Sequence, residues 1–90
     1  MTMIQIQSQY ESFKKQYPDA LLMMRTGEWY ALYNEDADKA ARSLGLIKNS
    51  MIGTLKYVVR FPQHALNIYL PKLVRDGYRI CICDEPEMFT

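Results

Sequence analysis

Apolar residues recur along this chain in two rhythms, and each change of rhythm marks an element. Over residues 4 to 17, Ile6, Tyr10, Phe13 and Tyr17 fall at spacings of four, three and four, with Gln, Lys and Glu elsewhere. That is the apolar stripe of a helix. Pro18 ends it, because the residue before a proline is pushed out of helical geometry. Leu21 to Met24 is apolar at every position, which predicts an interior strand covered on both faces. At Thr26-Gly27 the chain reverses. Gly27 supplies a positive φ that Thr26 cannot adopt cheaply, so a type I turn followed by a left-handed glycine is expected. The next strand alternates, with Trp29, Ala31 and Tyr33 on one face and Glu28, Tyr30 and Leu32 on the other.

A second helix is predicted from Asn34 as N-cap, with Glu35 and Asp36 in its first turn. Its inward face is Ala37, Ala40, Ala41 and Leu44, and Gly45 terminates it. Residues 46 to 54 are the least legible: Leu46 and Ile47 can open a short strand, whereas Lys48-Asn49-Ser50 and Gly53 are turn chemistry. Leu55 to Arg60 alternates as a strand, Leu55, Tyr57 and Val59 against Lys56, Val58 and Arg60. Pro62 suits the first turn of a third helix, whose stripe is Leu66, Tyr69, Leu70, Leu73 and Val74. Pro71 interrupts that stripe and should kink or split the helix. After Gly77, Tyr78 to Cys83 is a last strand, stopped by Asp84-Glu85-Pro86. The order α-β-β-α-(β)-β-α-β predicts an α/β fold, a mixed β-sheet flanked by three α-helices, in a single domain spanning residues 1–90.

Composition narrows the function classes. Apolar residues make up 49% of the chain and charged residues 23%, as in ordinary globular domains. No apolar run approaches the roughly 20 residues needed to span a bilayer, and the start lacks a signal peptide's basic flank and long apolar centre. A cytoplasmic location without membrane partners is the expectation. Cys81 and Cys83 are the only cysteines and His64 the only histidine. The cysteines read as small core residues, His64 as a packing or hydrogen-bonding residue, and no metal or cofactor is expected. No nucleophile has a persuasive base beside it, so the chain is read as a non-enzyme. With eleven basic and ten acidic residues the net charge is +1, against bulk electrostatic coating of nucleic acid. Arg42, Lys48, Lys56, Arg60, Lys72, Arg75 and Arg79 either gather on a basic face or lie scattered in solvent. Trp29, the sole tryptophan, fits either the core or an exposed contact just past the hairpin turn.

Taken together, residues from Tyr10 to Glu85 resemble the N-terminal domain of the MutS family, which recognises DNA mismatches. Leu-Leu-Met-Met-Arg-Thr-Gly-Glu-Trp-Tyr-Ala-Leu-Tyr (21–33) is similar to the family's apolar strand, arginine, glycine, acid and Phe-Tyr-Glu-Leu-Phe. Asp36-Ala37-Asp38-Lys39-Ala40-Ala41 with Leu44 resembles its next helix. Phe61-Pro62-Gln63-His64-Ala65 and Asn67 to Val74 resemble Ile-Pro-Tyr-His-Ala and Asn-Tyr-Leu-Ala-Lys-Leu-Val. Gly77 and Ile80 to Glu85 resemble the closing Gly and Val-Ala-Ile-Cys-Glu-Gln.

The resemblance implies a mixed sheet with helices, inserting the phenylalanine of a Phe-x-Glu motif beside a mispaired base while the glutamate hydrogen-bonds to it. By position the phenylalanine falls on Trp29 and the glutamate on Ala31. Trp29 keeps a ring able to stack on a base; Ala31 offers no donor or acceptor. Arg60 stands where the family has glycine, Gln63 replaces a tyrosine, and the segment before Phe61 is shorter than the family's basic loop. No G-x-x-x-x-G-K-[ST] phosphate loop is present. The expected function is a non-enzymatic DNA-contacting module with weakened mismatch specificity. Its DNA-binding residues are Trp29, Arg25, Lys48, Lys56, Arg60 and Tyr33, and its partners double-stranded DNA, distorted or mismatched, and a larger DNA-processing protein of bacterial or mobile-element origin. The alternative is a protein–protein interaction domain on the same fold, in which Trp29 and Tyr33 meet protein instead.

Overall fold

The apolar run after Pro18 forms the strand β1 (Ala20–Thr26), with its first five residues buried. In the computed structural model, residues 3–51, 53 and 55–83 are described; the expected stop at Asp84-Glu85-Pro86 lies outside them. Around β1 the elements follow as α1 (Met3–Gln16), β2 (Trp29–Tyr33), α2 (Asn34–Leu44), β3 (Asn49–Ser50), β4 (Tyr57–Pro62), a 3-10 turn (Gln63–Ala65), α3 (Leu66–Arg75) and β5 (Arg79–Cys83). The sheet order is β3-β4-β2-β1-β5. Only the β1–β5 pairing is parallel, so the sheet is mixed.

Strand alternation divides the core in two. Ala20, Leu22, Met24, Ala31 and Tyr33 pack with Ile6 and Tyr10 of α1. Leu21, Met23, Tyr30, Leu32 and Phe61 pack with Ala40 and Leu44 of α2 and Leu73 of α3. The small residues at Ala37 and Ala40, both fully buried, let α2 lie close to the sheet. No helix among the described residues is long and apolar enough to cross a membrane.

Local expectations fail where a neighbour outbids the local signal. The β1–β2 register pairs Thr26 with Trp29, so the loop is Gly27-Glu28. Gly27 has φ 64° at the first loop position and Glu28 is not positive, the sign pattern of a type II′ turn, in place of a type I turn with trailing glycine. Asn34 does not cap α2. It takes φ 53°, and its Oδ1 accepts hydrogen bonds from the backbone N–H of Lys56 (2.6 Å) and Tyr57 (3.4 Å), tying the start of α2 to the entry of β4. The short strand forms at Asn49–Ser50, paired with β4, and not at Leu46-Ile47. Leu55 precedes β4 and shares the α1-side core with Val58, against the expected alternation. Pro62 is the last residue of β4, opposite Trp29. Pro71 neither splits nor ends α3; it lies on the exposed side, where the Asn67 carbonyl can take its bond from solvent. Tyr17 and Val74 are exposed, beyond the ends of their stripes.

One buried carboxylate joins the layers. Asp36 is fully buried. Lys14 Nζ of α1 donates to its Oδ1 at 2.8 Å, and the Leu22 N–H of β1 donates to its Oδ2 at 3.2 Å. The Tyr10 hydroxyl lies 3.0 Å from Oδ2 and 3.1 Å from the Tyr33 carbonyl oxygen, sharing one proton between them. Lys14 also donates to the Ala20 carbonyl at 2.8 Å. Burial, then the Asp36 and Glu35 charges, pushes the Tyr10 hydroxyl well above the ordinary tyrosine range.

Two outcomes follow. D36A leaves the Leu22 N–H unsatisfied and Lys14 without its anion, so urea denaturation followed by circular dichroism should show a loss of about 3 kcal/mol. Unfolded tyrosines lose their protons near pH 10, whereas folded Tyr10 keeps its own. The unfolded state then binds fewer protons, stability falls as pH rises past about 10, and Y10F should flatten that fall.

Candidate functional site

Trp29 begins β2 on the α1 side of the sheet, beyond the reach of α1 itself. Its residue is 45% exposed, which decides between the two readings left open by the sequence: the indole is not core. Three features fix its backbone. Trp29 pairs with Thr26 on one side and with Pro62 on the other, and the Gln63 N–H donates to the Glu28 carbonyl at 2.8 Å. A ring held by ladders on both sides is ordered before any partner arrives.

Arg60 is the charged neighbour of this ring. Paired opposite Ala31 in β4, it lies diagonal to Trp29 on the same face, and its guanidinium carbon is 5.8 Å from the indole centroid. That is the outer range of a cation–π contact. Ala31 is fully buried and adds only a methyl to the floor. Beside Arg60 opens a cleft of about 390 Å³, lined by Thr26, Asn49, Ser50, Met51 and Val58 among others. Among the described residues, Arg60 is the only charged side chain in that lining.

The other candidates divide between places. Tyr33 was expected to share the exposed surface of Trp29; it is 4% exposed, packs edge-on against Tyr10 at 5.7 Å and lines the floor of the cleft beside Arg60. Burial raises its phenol, with the Arg60 charge acting in the opposite direction. Arg25 pairs with Tyr30 and so projects from the opposite face to Trp29, where its Nε donates to the Gly27 carbonyl at 3.2 Å.

Lys48 and Lys56 lie together away from Trp29, with Lys56 roughly 20 Å from the Trp29–Pro62 row along the strand direction. They line a second cleft, of about 470 Å³, with Asn34, Glu35, Asp38 and Tyr57. Lys48 is 3.2 Å from Asp38 and lies over the Tyr57 ring at 4.2 Å; Asp38 also holds Arg42 at 2.8 Å. The structure therefore brings together Trp29 and Arg60 and sets the remaining basic residues apart.

Cys81 and Cys83 are free thiols with their Sγ atoms 3.8 Å apart, and among the described residues no three His, Cys, Asp or Glu side chains converge on a metal position. His64 is exposed in the 3-10 turn. The cleft beside Arg60 was not foreseen, because Asn49 and Ser50 reach it only through β3 pairing, which turn-like residues do not signal.

The family described as MutS domain I matches residues 5–89. The chain is 45% identical over 84 residues to the DNA mismatch repair protein MutS of Christiangramia forsetii, covering 91% of this chain and 10% of that protein. It is 42% identical to MutS of Parabacteroides distasonis over 85 residues, covering 91% and 10%. It is 44% identical to MutS of Porphyromonas gingivalis over 82 residues, covering 88% and 9%. The chain thus spans about a tenth of the length of these relatives.

A half-exposed indole beside a lone guanidinium has a solution signature. Iodide should quench Trp29 fluorescence about two- to threefold more effectively than caesium at low salt, because a unit charge about 6 Å away enriches anions by that order. R60A should close the gap between the two ions.

Proposed function

The chain belongs to the MutS domain I family, and on that footing we propose that it is a non-enzymatic module contacting double-stranded DNA at a distortion, with mismatch specificity weakened. The observation that carries this reading is the indole of Trp29, 45% exposed and fixed at the hairpin mouth. An aromatic ring held outward on a rigid strand is a stacking platform for an unstacked base. Ala31, directly below, supplies no hydrogen bond to tell one mispair from another. Arg60 is the nearest cation, while Lys48 and Lys56 serve backbone phosphates at the other end of the sheet only where the DNA extends that far.

The near-zero net charge makes the electrostatic share of binding small, so contact rests on Trp29 and the few cations around it. In this reading the domain serves a larger DNA-processing protein, in the cytoplasm, without a cofactor of its own. These roles are consistent with mismatch repair, the process for which the relatives are named.

Titration of matched, mismatched and looped duplexes at two salt concentrations, followed by Trp29 fluorescence, is the test. Quenching on the looped duplex and an affinity that falls with salt are expected. W29A should weaken binding by about 1–3 kcal/mol. Absence of any binding to DNA at low salt would overturn the reading in favour of a protein-binding domain.

A further inference from the structure

Among the described residues no carboxylate pairs with Arg60. The ion pairs among the described residues are Lys14–Asp36, Arg42–Asp38 and Lys48–Asp38, and Arg60 is in none of them. Its contact with Trp29, at 5.8 Å, leaves the guanidinium beside the ring without consuming its N–H donors. The backbone beneath is rigid, with Arg60 paired to Ala31 in the middle of the β2–β4 ladder. The cleft it borders adds the side chains of Thr26, Asn49 and Ser50, with no acid among the described residues that line it.

Thr26, Asn49 and Ser50 both donate and accept, whereas the guanidinium only donates, so the group that faces Arg60 must be an acceptor. A base stacked on the indole brings its edge toward the guanidinium. Guanine presents two adjacent acceptors, O6 and N7, in the spacing a guanidinium fork meets with two parallel hydrogen bonds. On that same Hoogsteen edge adenine sets an N6 donor next to N7, cytosine offers a donor at N4, and thymine has a single acceptor beside a methyl group. The Watson–Crick edge that an unstacked base also exposes gives cytosine the adjacent acceptors O2 and N3, so the assignment to guanine is an assignment to the Hoogsteen edge. A phosphate would satisfy the same fork, but phosphates lie outside the stack, whereas this guanidinium is placed against the stacking ring itself.

We propose that Arg60 is the specificity-determining residue of this chain, reading an unstacked guanine held on Trp29. This rests on the DNA-contacting reading above and extends it by assigning the base. The selectivity it confers is for the identity of the displaced base and not for the mispair from which it came.

The experiment uses the 90-residue chain and four duplexes, each with one extrahelical G, A, C or T in the same flanking sequence. The G duplex should bind about tenfold more tightly than the other three, and 7-deazaguanine at the bulge should abolish most of that preference. R60K keeps the charge and loses the fork, so the four affinities should converge while the salt dependence is retained. Equal wild-type affinity for the four duplexes overturns the assignment and leaves DNA contact standing. So does R60A weakening all four alike with a salt slope shallower by about one, which marks a phosphate contact. No binding to any duplex overturns this inference together with the reading beneath it.

Discussion

The fold depends on Asp36, a carboxylate with no exposed surface and donors from three directions. A charge at that depth is tolerable only when its lone pairs are occupied, and here Lys14, Tyr10 and the Leu22 N–H occupy them. Because those donors belong to α1 and β1 while Asp36 belongs to α2, the network sets how the helical layers sit on the sheet. It lies at the end where β1 begins and β2 finishes. The hairpin mouth, with Trp29, projects from the opposite end, free of the network and able to meet a partner.

That separation also explains why the cations do not act as one patch. The strands place Arg60 toward the hairpin end and Lys48 and Lys56 at the other, and Lys48 is already shared between Asp38 and the Tyr57 ring. Arg25 projects from the far face and is engaged with its own turn. What remains beside the indole on its own face is, among the described residues, a single guanidinium. A site built this way gains little from long-range attraction and owes its selectivity to short-range geometry.

Much of the architecture was legible in the sequence. The run Leu21 to Met24 announces a strand buried on both faces, the alternation from Trp29 to Tyr33 assigns the two sides correctly, and Gly45 ends α2 in the left-handed conformation with its N–H on the Ala41 carbonyl. The failures share a cause. Asn34 has an N-cap's chemistry, yet the backbone of Lys56 and Tyr57, distant in sequence, claims its side chain. Asp36 reads as a first-turn acid favouring the helix N-terminus, and only the approach of α1 makes it the buried hub. Tyr33 alternates in phase with Trp29, so periodicity gives both residues one face. Phase does not tell how far α1 extends over that face, and this is why one ring is buried and the other open. The turn residues placed Trp29 correctly at the hairpin, but the pairing that sets Arg60 diagonal to it emerged only from strand register.

The parallel β1–β5 ladder has a consequence for how the chain acquires its shape. Both faces of β1 are covered, yet the hydrogen-bonding edge away from β2 is completed only by Arg79–Cys83, nearly at the end of the described residues. A nascent polypeptide emerging from the ribosome therefore carries Leu21 to Met24 as an apolar strand with an open edge until that last segment is synthesised. Closing so long a loop is entropically slow, and an apolar strand edge left open attracts other chains. Folding of this domain is in effect a single late event, and truncation just short of β5 would yield an aggregating chain instead of a smaller stable one.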